Sequence, residues 1–97
     1  MAQRLVVSDR AQREIGEAYE WYEERLPGLG THFLNVLDAQ FLVILESPEL
    51  YAAILPRVRR ALLPRFPYGV FFASKREFTS ILAVVHTSRS PRFWPRR

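Results

Sequence analysis

Leu26-Pro27-Gly28-Leu29-Gly30 divides the first half of the chain into two helices. Pro27 cannot continue a helix that reaches it, and either glycine can take the positive φ at which a helix ends. Upstream, Ala11, Ile15, Ala18, Tyr22 and Leu26 recur at helical spacing, with Arg13, Glu17, Glu20 and Glu24 as a charged stripe opposite. Ser8 and Asp9 are N-cap types that place the start, and Asp9 with Gln12 has the spacing of a capping box. Downstream, Leu34, Leu37, Phe41, Ile44 and Leu45 share one face of a helix from about Thr31 to Glu46, which Ser47-Pro48 stops. Two amphipathic helices joined by about four residues fold as an antiparallel hairpin.

On either side of the hairpin the pattern changes to strands. Arg4-Leu5-Val6-Val7 is a short extended segment ahead of the first helix. Residues 49–56 read as an irregular connection, with Leu50, Tyr51, Ile54 and Leu55 tucked under the hairpin. Three segments then read as strands: Arg57 to Leu63, Tyr68 to Ala73, and Thr79 to His86. Pro64 and Pro67 bracket Arg65-Phe66 in a tight corner between the first two, and Lys75-Arg76-Glu77-Phe78 has the length of a hairpin turn between the last two. The element order is β-α-α-β-β-β. It predicts an α+β two-layer sandwich, with the helical hairpin packed on one face of an antiparallel sheet.

The 97 residues, 48% of them hydrophobic, suit one domain spanning 1–97. The chain has no cysteine, which excludes disulfides, zinc-thiolate sites and cysteine nucleophiles. No leader-like segment is visible, and the apolar runs are far shorter than the ~20 residues that span a bilayer, so a cytoplasmic protein without a membrane partner is expected. Charge is unevenly placed. Residues 1–48 carry four Arg against eight acids, whereas residues 49–97 carry nine Arg and Lys75 against Glu49 and Glu77. A basic half of this kind faces an anionic partner, nucleic acid or an acidic protein.

The chain ends on an apolar strand, Ile81-Leu82-Ala83-Val84-Val85, that runs into His86-Thr87-Ser88-Arg89-Ser90-Pro91-Arg92-Phe93-Trp94. Together with Pro27-Gly28-Leu29-Gly30-Thr31-His32-Phe33 at the hairpin turn and Arg65-Phe66-Pro67-Tyr68 at the corner, this ending resembles the RelE/ParE toxin superfamily of type II toxin-antitoxin modules. The resemblance covers nearly the whole chain. It implies a growth-arresting toxin held by a cognate antitoxin, without cofactor or metal. In the RelE-like branch such a fold cleaves messenger RNA on the ribosome; in the ParE-like branch it inhibits DNA gyrase.

The two branches ask for different residues. A metal-independent ribonuclease needs a base for the 2′-hydroxyl, cations for the phosphate and an acid for the leaving oxygen. Arg59, Arg60, Arg65 and Arg89 are the cationic candidates, His86 is the proton-transfer candidate, and Trp94 could stack on a base. RelE-like nucleases commonly place a Tyr near the C-terminus, and here Phe93 and Trp94 stand in that region. The central-strand cations are also all Arg, where that branch often includes Lys. Both departures favour the ParE-like reading, in which the same residues form a docking edge for a protein target.

Each candidate has a structural alternative. His86 can order the tail by hydrogen-bonding backbone, Trp94 can cap the open end of the core, and Arg89 can pair with Glu17 or Glu20. For the antitoxin, an amphipathic segment that folds on binding, the resemblance implies contacts on the hairpin groove and sheet edge. The candidates are Trp21, Leu29 and Phe33 by their outer faces, and Leu50, Tyr51, Ile54 and Leu55 in the connection.

Overall fold

A computed structural model describes residues 4–88. Arg89 and Trp94 lie outside the described residues. Strand β1 (Arg4–Val7) leads into helices α1 (Asp9–Arg25) and α2 (Leu29–Glu46). A single 3-10 turn (Pro48–Leu50) follows, then strands β2 (Ala53–Leu55), β3 (Val58–Leu62), β4 (Tyr68–Ser74) and β5 (Phe78–His86). No helix among the described residues is long and apolar enough to cross a membrane.

Ser8 is the N-cap of α1. Its hydroxyl accepts the Ala11 N–H at 3.0 Å and donates to the Leu82 carbonyl at 3.0 Å, while its backbone N–H reaches the Ile81 carbonyl. One residue therefore caps the helix and ties its start to β5. The capping box expected from Asp9 and Gln12 does not form, because the cap lies one residue earlier. The Gln12 amide instead donates back to the Val7 carbonyl.

The hairpin turn follows Pro27-Gly28 as the sequence predicts. Gly28 is left-handed, with φ 93. α2 begins at Leu29, two residues before the predicted Thr31. Its first N–H groups have no side-chain cap of their own, and the Glu23 carboxylate of α1 serves instead, accepting from Gly28 at 2.8 Å and Gly30 at 2.9 Å. This places an anion where a helix N-terminus favours one. At Gly30, α2 comes so close to α1 that an added Cβ would lie 2.7 Å from Tyr19 and 2.8 Å from the Glu23 carboxylate.

The sheet has five strands in the order β1-β5-β4-β3-β2. The α+β architecture is as predicted, with two differences. The sheet is mixed, since β1 runs parallel to β5. The cause is a count of reversals: α1, α2 and the antiparallel run from β2 to β5 return β5 to the direction of β1. The second difference is β2, which the sequence presents as irregular. It is three residues long, its register with β3 shifts, and its turn into β3 uses Pro56 followed by a left-handed Arg57 (φ 70). Gly or Asn at that position would have announced the turn; Arg does not.

The helices cover one sheet face. Tyr22, Phe33, Leu37, Phe41 and Ile44 pack there against Leu63, Phe66, Val70, Phe72, Ile81 and Val84. Phe33 is a correction to the sequence reading. Far from presenting an outer face, it is fully buried, with its ring 5.5 Å from Tyr22 and 5.3 Å from both Phe66 and Tyr68. The opposite sheet face carries a smaller apolar group of Phe71, Ala83 and Val85, with Ile54, Val58 and Leu82 against it. The connection is therefore not wholly tucked under the hairpin. Tyr51 is, but Ile54 lies on the far face and Leu50 is 69% exposed.

Candidate functional site

The Arg65-Phe66-Pro67-Tyr68 corner is built around its first residue. Arg65 takes φ 71, a left-handed conformation that costs a non-glycine residue about 1 kcal/mol or more. This geometry turns Phe66 inward, where it is 6% exposed and stacks edge-on to Tyr22 and Phe33. The corner is closed by Leu63 N–H to the Tyr68 carbonyl at 2.9 Å, and it is fastened to the end of β5 by Thr87 N–H to the Pro67 carbonyl at 2.7 Å. Arg65 itself remains exposed at that end.

His86 is paired across strands with Tyr68, their rings 5.1 Å apart and nearly perpendicular. Its Nδ1 accepts the Ser88 backbone N–H at 3.0 Å. The ring thus orders the turn that follows β5, the structural alternative foreseen for it. An accepting Nδ1 belongs to an imidazole that carries its proton on Nε2.

Between this end of the sheet and α1 lies a cleft of about 580 Å³. Glu14, Glu17, Trp21 and Tyr22 line it from the helix, and Pro67, Tyr68, His86 and Ser88 from the sheet. Glu14 is committed to structure at both oxygens: one accepts the Val84 N–H at 2.8 Å and the other pairs with Arg10 at 3.0 Å. Burial pushes the Tyr22 phenol above its ordinary value of 10.0. Trp21 is half exposed, and the Arg25 guanidinium lies 3.4 Å from its ring centroid. The sequence did not mark Glu14, Tyr22 or Tyr68 as site residues. Glu14 meets Val84 across 70 positions of chain, a relation no local pattern carries.

The predicted cations are dispersed. Arg59 sits opposite Phe72 on the helix-facing side, and its guanidinium donates to the Tyr51 carbonyl. Arg60 sits opposite Phe71 on the other side, with its stem against Gly69. Adjacent strand residues point to opposite faces, so these two cannot serve one centre. Along β4, Phe72 and Tyr68 are four residues apart, which sets Arg59 about 13 Å from the level of His86. Arg65 and His86 share one end of the sheet. Among the described residues no three His, Asp or Glu side chains gather as a metal would require.

The predicted antitoxin contacts also divide. Trp21 and Leu50 are exposed; Leu29, Tyr51, Ile54 and Leu55 are half-buried; Phe33 is inside. The Tyr51 hydroxyl accepts from Gln40 at 2.7 Å and its ring stands edge-on to Phe72, so its role is packing. Leu42 and Val43 on α2 are exposed apolar residues that the sequence reading did not single out.

A two-helix hairpin on a five-stranded mixed sheet, with a proline corner clasping the last strand, is an arrangement already seen in a solved structure. The chain is similar to a chain of the chromosomal ParDE TA system from P. aeruginosa, with a TM-score of 0.76 over 88% of this chain and 96% of that one. Sequence identity is 19%, so the likeness is one of fold. No protein-family model and no curated protein sequence matches the chain.

Proposed function

We propose that the chain is the toxin of a type II toxin-antitoxin module, neutralised by a cognate antitoxin and acting as a ParE-like inhibitor of DNA gyrase. The fold it shares with a chain of a ParDE TA system supports the toxin reading. The choice of branch rests on one observation. His86 accepts backbone at Nδ1, and Arg59 and Arg60 point to opposite faces, so the described residues do not form a proton-transfer and phosphate-binding centre. A toxin that works by docking needs no such centre. On this reading the end of the sheet that displays Arg65, with Arg89 beyond the described residues, meets the target. Trp21, Leu50 and the exposed Leu42 and Val43 supply apolar anchors for the antitoxin. Such a toxin acts in the cytoplasm.

The test is a paired assay of purified protein: gyrase supercoiling and cleavage-complex formation beside primer extension on messenger RNA in a translation extract. Inhibited supercoiling with intact message is the expected result. Translation-dependent cuts with unaffected gyrase would overturn the gyrase reading in favour of the RelE-like alternative.

A further inference from the structure

A second cleft, of about 450 Å³, opens at the opposite end of the sheet. Pro48 and Glu49 of the 3-10 turn, Ala53 of β2, Arg57, Val58 and Arg59 at the start of β3, and Ala73, Ser74 and Lys75 at the end of β4 line it. β4 runs from Tyr68, paired with His86, to Ser74 in this cleft, a separation of about 20 Å at the ordinary strand rise. The two clefts are therefore separate places on the molecule.

Three cations against one carboxylate make this the positive concavity of the described surface. Each is held by its surroundings. Arg57 is fixed by Pro56 before it and by its left-handed backbone. Arg59 gives one of its five donors to the Tyr51 carbonyl, which aims the rest of the guanidinium. Lys75 is anchored through its backbone N–H to the Phe78 carbonyl at 2.8 Å. Small side chains, Ala53, Ala73 and Ser74, leave the floor open.

We infer that this cleft binds the phosphate backbone of a nucleic-acid strand. A planar guanidinium fork matches a phosphate oxygen pair, and a lysine adds a point charge beside it. Arg57 and Arg59, two residues apart, repeat at about 7 Å or less, comparable with the separation of successive phosphates on an extended strand. One acidic side chain would satisfy one of these cations; a repeating anion satisfies the row. The small apolar lining offers no pocket for a peptide side chain to anchor in. Glu49 sets an upper bound on the attraction from within the cleft. The inference does not depend on the gyrase reading, because the cleft and its test stand apart from the His86 end.

The experiment is fluorescence anisotropy of a short labelled single-stranded DNA with the whole chain, across a salt series. Arg89, Arg92, Arg96 and Arg97 also belong to that chain, so the informative quantity is the difference between variant and parent. Arg57→Gly with Lys75→Ala should flatten the slope of log affinity against log salt by about 1.4, two contacts at roughly 0.7 each. Arg57→Gly suits the local backbone, and an unchanged melting curve confirms that the fold is kept. Glu49→Gln should tighten binding several-fold, whereas Arg13→Ser on α1 should leave the slope as it was. An unaltered slope in the double variant would overturn the inference. So would a poly-glutamate peptide, or inorganic phosphate at matched ionic strength, that displaces the labelled strand as effectively as unlabelled DNA.

Discussion

The Glu14 carboxylate on α1 accepts the backbone N–H of Val84, in the middle of β5, at 2.8 Å. A strand N–H has two ordinary destinations, a neighbouring strand or water, and here a helix side chain takes their place. With its other oxygen on Arg10, Glu14 joins the hairpin to the sheet by a polar bond inside an otherwise apolar interface.

Replacing Glu14 by Leu should therefore cost more than its surface ion pair suggests. Val84 would keep a shielded N–H without a partner, a loss of about 1–3 kcal/mol. Arg10→Ala removes only the partly exposed pair and should cost under about 1 kcal/mol. Urea denaturation of the two variants checks the ordering. Equal losses would mean that the Val84 bond contributes nothing.

Two glycines in the helical hairpin should respond in opposite directions. Gly30→Ala sets a methyl group 2.7 Å from the backbone oxygen of Tyr19, where no side-chain movement can relieve it. The helices must separate, at a cost of about 1–3 kcal/mol. Gly16 lies inside α1 with open space at its Cβ, so Gly16→Ala should stabilise by about 0.5–1 kcal/mol through helix propensity and unfolded-chain entropy. The difference in melting temperature between the two variants is the measurement.

These residues also mark where the sequence could be read and where it could not. Helix faces and the Pro27-Gly28 turn are local patterns, and Ala18, Tyr22, Leu37, Phe41 and Ile44 are buried as their spacing requires. The proline corner was legible for the same reason. Phe33 was misplaced outward because a position at the start of a helix has too few neighbours to define its face. β2 was missed because Arg57 occupies a left-handed site without the usual residue type. Glu14 to Val84, and the cleft that gathers Arg57, Arg59 and Lys75, depend on strand order, which the parallel placement of β1 beside β5 sets globally.

Ser8→Ala should cost about 1–2 kcal/mol, at the upper end for an N-cap. The hydroxyl caps Ala11 and also donates to Leu82. Ser8→Asp keeps the acceptor for Ala11 but loses the donor, so its stability should fall between those of the parent and the alanine variant. Thermal melts of the three proteins decide whether both bonds count.

Tyr22 should give stability an alkaline limit. Its phenol is raised above 10.0 by burial, which disfavours the phenolate in the folded state. An acid whose pKa is higher folded than unfolded contributes fully below the unfolded value and loses that contribution as pH rises through the folded one. Folding free energy should decline above about pH 10, and Tyr22→Phe should remove that part of the decline. Parallel slopes for parent and variant in this range would show that the Tyr22 hydroxyl ionises as freely in the fold as outside it.

Arg65 brings stability and function into opposition. At φ 71 it holds a conformation that glycine adopts without penalty, so Arg65→Gly should raise stability by about 1 kcal/mol if the corner is kept. The same change removes the exposed cation beside the His86 end of the sheet, where the proposed target docks. A protein that melts higher yet arrests growth less is the expected result, measured by thermal denaturation and by colony counts after induction without antitoxin. If Arg65→Gly melts higher and remains fully toxic, the left-handed arginine serves only the turn, and the docking edge must be sought elsewhere on the sheet.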